Sequence, residues 1–227
     1  WAEVARLYDR ELDGLLGDPP QFVELGLRVA QIFEVQLGDL DGAVARYRRV
    51  LEVESDNQAA IRSLDRLFSQ SERWVELATV LSREAEIGQT PDEILEFKYR
   101  LGEVHERYLD DLDQAIAAYK EVLAVEPEHP RAMGRLEAVF ASGRKQREIA
   151  DVLEPLYRQF DQFEKLVFVY EAQLAHLTET HERLQMYFRI AELHEEKLSD
   201  GAGALGAYIR ALKESPLDEH AHTEAER

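Results

Sequence analysis

The chain has 227 residues, 45% hydrophobic and 32% charged, and its 46 acidic residues against 27 basic ones leave a formal net charge of −19. That balance argues against nucleic acid and anionic lipid surfaces as partners, since both are bound through clustered Lys and Arg. Cysteine is absent, which removes disulfide and thiol chemistry, and no apolar run approaches the roughly 20 residues needed to span a membrane.

Trp1 opens directly into an amphipathic helix over 1–15, with Val4, Ala5, Tyr8 and Leu12 on its apolar stripe and no basic segment or apolar signal core ahead of it. The loop 17–20, Gly-Asp-Pro-Pro, ends that helix and starts the next, because proline is tolerated in a first turn and not beyond it. Further helices are expected from about Gln21 and Asp39, then over 57–69 and 71–87. Ala60, Leu64, Leu67 and Phe68 form an i, i+4, i+7, i+8 stripe. Another first-turn proline, Pro91, opens the following group. Within it, residues 101–127 read LGEVHERYLDDLDQAIAAYKEVLAVEP. This is a helix holding the small residue Gly102, a break at 110–113, and a second helix with Ala115 and Tyr119 that Pro127 closes.

The hairpin returns on either side of itself. Ala30, Ala43 and Tyr47 lie 72 residues before Gly102, Ala115 and Tyr119, while Ala191, Ala204, Tyr208 and Pro216 lie 89 residues after the matching positions. Small residues facing one another across two helices let the backbones approach, and the tyrosine fills the next layer. The intervening groups differ in length. Ala132, Leu136, Val139 and Phe140 repeat the Ala60 stripe at 72, whereas Leu153, Leu156 and Tyr157 repeat Leu64, Leu67 and Phe68 at 89, so one helix and turn of 17 residues is duplicated. An odd helix in an array of pairs predicts an irregular stretch over 143–162 with a break at Pro155, after which the array resumes at Phe163, the counterpart of Trp74.

Ala-x3-Tyr with a proline eight residues on, preceded by Val29-Ala30, Leu101-Gly102 and Ile190-Ala191, resembles the tetratricopeptide repeat (TPR), whose pattern runs W-x2-L-G-x2-Y, then A-x3-F, then P. The leading aromatic is kept only as Tyr187, Ser55 replaces the first closing proline, and the turn is one residue longer than usual. The resemblance implies an all-α fold, a right-handed αα-superhelix or TPR-like solenoid of about 13 antiparallel helices. It implies one repeat array over 1–227, with equivalent hairpins at 22–55, 94–127 and 183–216. Because the array starts and stops inside a repeat, the chain reads as a fragment of a longer protein. A cytoplasmic location is favoured, and the small share of Lys, six residues, among the basic ones reads as the codon bias of a bacterial genome.

Candidate chemistry is thin. His105 and His194 follow the small motif residue by three, where the first hairpin has Phe33, so they read as packing residues in an aromatic slot. No His-Glu-x-x-His spacing, glycine-rich phosphate loop or converging nucleophile and base is present, and no catalytic residue, metal or organic cofactor is expected. The repeated polar positions are Arg28, Arg100 and Arg189, with Glu34, Glu106 and Glu195 six residues on. The resemblance implies that this face of the first helix lines a concave, partner-binding groove, together with Tyr99, Glu103, Phe188 and Glu192. Gln31, Glu103 and Glu192 stand where some members of the family hold the Lys and Asn set that clamps a C-terminal carboxylate. The arginines serve equally well as helix support, since Glu24 and Glu96 precede Arg28 and Arg100 by four. The resulting expectation is a non-catalytic protein–protein interaction scaffold taking a peptide or helix, basic overall, with no nucleic acid and no membrane insertion. The alternatives are a module regulating or targeting an enzyme or signalling domain elsewhere in a longer protein, and self-association through open repeat ends at Trp1 and 218–227.

Overall fold

The helices follow from caps that recur at the offsets found in the sequence. The computed structural model describes residues 1–15 and 17–226, and Arg227 of the expected open end lies outside them. Among the described residues there are thirteen α-helices and no strand. They are α1 (Ala2–Gly14), α2 (Pro19–Gln31), α3 (Leu40–Val53), α4 (Gln58–Gln70), α5 (Trp74–Ile87), α6 (Pro91–Arg107) and α7 (Leu112–Val125). There follow α8 (Pro130–Ala141), α9 (Gln146–Gln159), α10 (Phe163–Leu174), α11 (Thr180–Glu192), α12 (Gly201–Glu214) and α13 (Glu219–Glu226). Wide π turns extend α2 over Ile32–Leu37 and α11 over Leu193–Lys197. The chain forms two compact units, residues 1–122 and 123–227.

Each motif hairpin bends at one residue in the left-handed region: Gly38 at φ 66°, Asp110 at φ 52° and Ser199 at φ 54°. The aspartate that follows caps the second helix. Asp39, Asp111 and Asp200 accept from the N–H groups of Gly42, Gln114 and Gly203 at 2.9, 3.1 and 3.0 Å. Their own N–H groups donate back to the carbonyls of Phe33, His105 and His194 at 2.9, 2.9 and 2.7 Å. The extra residue of this turn is therefore absorbed as a widened helix end; in α6 the same widening shows as Leu109 N–H donating to the Val104 carbonyl at 3.2 Å. A second set of caps starts α4, α8 and α13, where Asn57, His129 and Asp218 accept from the N–H groups of Ala60, Ala132 and Ala221.

In the first unit each helix packs on the next in sequence from α1 to α6, and the motif positions form the core. Ala30, Ala43, Tyr47, Ala115 and Tyr119 are all buried. The Tyr47 and Tyr119 hydroxyls keep a hydrogen bond by donating to Glu34 at 3.2 Å and Glu106 at 2.8 Å. Gly102 is required by this layer, since a β-carbon there would lie 2.6 Å from the Tyr119 ring. In the second unit the order of packing is again sequential from α8 to α13.

The structure corrects the expectation at Pro155. Helix α9 runs through it, with Ile149, Ala150, Val152 and Leu153 buried before it and Tyr157 after. The irregularity is confined to the connection 142–145, where Gly143 and Lys145 take φ 82° and 51°. Proline removes one backbone hydrogen bond and crowds the preceding turn. Here both Pro155 and Asp151, whose carbonyl loses its partner, are exposed residues, so the lost bond lies on the solvent side of the helix while the buried stripe holds both halves in line. Restoring the bond with Pro155→Ala should therefore raise stability by about 1–3 kcal/mol, with far-UV helicity unchanged; a urea midpoint at or below that of the parent would refute this account.

Candidate protein-interaction surface

Within each unit the sequence-predicted groove residues meet different surroundings. In the first unit they are held by the protein's own side chains. Exposed Arg28 reaches only Glu24, one turn back, at 3.5 Å. The Glu34 side chain, 11% exposed, takes the Arg66 guanidinium at 2.5 Å as well as the Tyr47 hydroxyl, and the Arg66 hydrogen bond outweighs burial to hold its pKa below the ordinary carboxylate value. Tyr99 is 3% exposed, its ring tilted 5.8 Å from that of Tyr119. It is a core residue rather than an anchor for a partner, because its position on α6 turns toward α7. Arg100 clamps Asp65 of α4 through two bonds of 2.7 and 2.8 Å. Glu103 pairs with Arg107 at 3.5 Å, and Glu106 faces inward to Tyr119.

The second unit differs. Phe188 is half-buried between Tyr208 and His220, with ring centroids 6.4 and 4.8 Å away, and Glu195 is half-buried. Arg189 and Glu192 are exposed, and both line a cleft of about 340 Å³ between the end of α9, α10 and the widened end of α11. Arg158, Asp161, Phe163, Tyr170, Glu196 and Lys197 share this cleft. Among the described residues Arg189 has no ion-pair partner.

The reason can be read from the repeat offsets. Glu154 and Arg189 lie 89 residues after Asp65 and Arg100, so they should form the same clamp. Glu154 is instead claimed by Arg158 at 2.9 Å and by the Tyr170 hydroxyl at 2.8 Å, while Arg158 also donates to that hydroxyl at 2.5 Å. In the first unit the positions of Arg158 and Tyr170 are Ser69 and Leu81. Ser69 donates to Asp65 only through a long hydroxyl bond of 3.3 Å and Leu81 offers no donor, so neither takes the carboxylate from Arg100 as a guanidinium and a phenol take Glu154. The floor changes in a similar way. Trp74 stacks on Tyr108 with centroids 3.7 Å apart, and 89 residues on, Phe163 carries the Lys197 ammonium 5.8 Å from its ring. Periodicity alone did not single out Arg158 and Lys197 of the cleft lining; they stand where the first unit has Ser69 and Tyr108, and comparing equivalent offsets would have found them.

Residues 97–129, covering α7 and much of α6, match the family model of the tetratricopeptide repeat. The matched segment and the recurring hairpins decide the class. This is a TPR-like repeat protein. Among solved structures, the chain is similar to YrrB, a TPR protein with an unusual peptide-binding site, at 13% identity over 98% of each chain and a TM-score of 0.37. It is similar to the TPR2AB domain of yeast Sti1 in complex with pHSP90, at 15% identity over 91% of this chain and 82% of that one, TM-score 0.37. The third is a thermophilic TPR protein of Thermus thermophilus, at 18% identity over 90% and 97% of the chains, TM-score 0.30. These likenesses are distant, and the assignment rests on the matched repeat and the hairpins. No curated protein sequence matches the chain significantly.

Beneath the Asp65–Arg100 clamp of the TPR-like first unit lies Glu84 of α5, 3% exposed and the one buried charged side chain among the described residues. Its Oε2 has no hydrogen-bond partner. Burial first, and then the Asp65 charge, raise its pKa to about 7 against the pull of Arg100 and Arg62. Between pH 4.5 and 7 the folded chain thus holds a proton that the unfolded chain has released, and this group makes stability fall as pH rises through that window. The position 89 residues on is Gln173, the neutral isostere. Glu84→Gln should raise the melting temperature at pH 8 but hardly at pH 5, the gap corresponding to a gain on the order of 2 kcal/mol, since one pKa unit is worth about 1.4. An equal shift at both pH values would show that ionisation of Glu84 costs nothing.

Proposed function

We propose that this chain is a non-catalytic scaffold that holds a segment of another protein, with the Arg189 cleft of the second unit as a contact surface and the hairpins 22–55, 94–127 and 183–216 as units of one repeat array. The observation that carries the reading is the exposed Arg189, whose expected partner Glu154 is taken by Arg158 and Tyr170. An exposed guanidinium beside an aromatic floor suits a carboxylate of an extended or helical partner segment. Asp161, Glu192 and Glu196 around the same cleft suit basic side chains of that segment. A partner that is basic overall is favoured by the net charge of −19, because long-range attraction speeds encounter. Arg28 and Arg100, which the sequence places in the same row, act here as helix and interhelix support.

Affinity capture on the immobilised chain, with partners quantified against variants, tests this. Arg189→Glu with Lys197→Glu should weaken binding about tenfold or more, as expected for losing a charged hydrogen bond of about 1.5–3 kcal/mol. Arg28→Glu should leave affinity unchanged, and added salt should slow association. Retention of every partner by the double variant at parental affinity would overturn the assignment of this cleft.

A further inference from the structure

The 17-residue duplication places α9 between α8 and α10, and the three helices enclose a hollow of about 320 Å³. Phe140, Leu153, Tyr157 and Phe168 form its walls, with Glu137, Glu164 and Lys165 at the lip. None of these residues lines the Arg189 cleft. The Tyr157 hydroxyl donates to Glu137 at 2.8 Å, and the Lys165 ammonium pairs with the same oxygen at 2.7 Å, so the polar groups of the wall are satisfied and apolar surface is left facing inward. Phe168 stands at the mouth 54% exposed, its ring edge-on to Phe140 with centroids 5.7 Å apart. Its counterpart 89 residues earlier is Thr79, an exposed polar residue on α5. An aromatic has thus replaced a threonine on a solvent-facing helix surface beside an apolar hollow, where nothing in the core of the unit requires it.

We propose that this hollow docks a single bulky apolar side chain, Phe, Leu or Trp, carried on a basic segment of another protein. Size sets the first part of that description, since the hollow lies at the lower end of the range of about 300–1,000 Å³ for ligand pockets and suits one large side chain rather than a multi-ring cofactor. Charge sets the second. At the lip Glu137 and Lys165 are paired with each other, which leaves the carboxylate of Glu164 as the net charge. Glu164 is exposed and has no ion-pair partner among the described residues, so a Lys or Arg flanking the apolar anchor finds a counter-charge there, and an acidic flank is repelled. The geometry is that of an anchor residue buried in a pocket with a polar rim, the arrangement in which binding energy concentrates.

The test is an amide-resolved NMR titration of the full chain with three short probes, acetyl-Lys-Phe-Lys-amide, acetyl-Lys-Ala-Lys-amide and acetyl-Glu-Phe-Glu-amide. The first should shift the amides of Phe140, Leu153 and Phe168, and the other two should bind roughly tenfold more weakly or not at all. Phe168→Ala, which removes the half-exposed wall at the mouth, and Ala141→Trp, which fills the mouth, should each abolish the shifts, while Arg189→Glu should leave them unchanged. That last control separates this site from the Arg189 cleft. Absence of localised shifts at millimolar probe, equal shifts from the alanine probe, or concentration-dependent self-association abolished by Phe168→Ala would each overturn the proposal, the last by showing that a second copy of the chain covers the hollow.

Discussion

A carboxylate on the helix preceding a repeat controls what that repeat's arginine can do. Asp65 holds Arg100 by two short hydrogen bonds and ties α4 to α6. Both groups are partly shielded from water, so this bidentate pair is worth more than an exposed ion pair and resists exchange with a ligand. The equivalent Glu154 is held by Arg158 and Tyr170 within its own unit, and Arg189 is left facing solvent. The same backbone position is thus structural in one unit and accessible in the other, through the side chains allowed to compete for one carboxylate.

That competition is possible because the turns keep equivalent residues in register. The left-handed residue, the capping aspartate and the back-donated N–H recur in all three motif hairpins. None of the three requires a particular residue at the bend. Glycine, aspartate and serine serve in turn, because the following cap and the widened helix end offset the modest cost of positive φ for a non-glycine residue. The aromatic slot before the turn is equally tolerant. Phe33 fills it in the first hairpin and half-buried His105 and His194 in the others, where burial lowers the His105 pKa despite the pull of Asp111. The imidazole fills there the place of an aromatic ring.

Much of the fold was legible because the hairpin is encoded locally. First-turn prolines, small residues on facing helices and capping aspartates each act within a few residues, so the thirteen helices and the widened turn could be anticipated from Pro19, Pro91, Gly102 and Asp111. Pro155 was misjudged because its cost is a local quantity while the force overriding it is tertiary, namely burial of Ile149, Leu153 and Tyr157 on both sides of it. Tyr99 and Arg100 were placed on an open face for a related reason. Helical periodicity says that Arg28, Arg100 and Arg189 share a face, but whether each is bound depends on residues such as Asp65, Arg66 and Arg158 on other helices. Tyr99 shows the limit most plainly, as its side chain is buried against Tyr119.

The departures from internal repetition are therefore more informative than the repetition. Substitutions that preserve the core cluster on α9 and α10 and the widened end of α11. Arg158 stands for Ser69, Tyr170 for Leu81, Phe168 for Thr79, Gln173 for Glu84 and Lys197 for Tyr108. Packing alone does not call for them, since the first unit closes the same helices with the alternatives. The first unit carries a buried, unpartnered carboxylate oxygen at Glu84 and ties its arginine down; the second has a neutral amide at that position and leaves its arginine free. The tolerance of the scaffold is what makes this divergence possible. Each helix is held by its own local turns and packs on its immediate neighbours, so a pair of surface changes in one unit leaves the other undisturbed. Surface chemistry in such an array can differ from unit to unit while the hairpin stays the same.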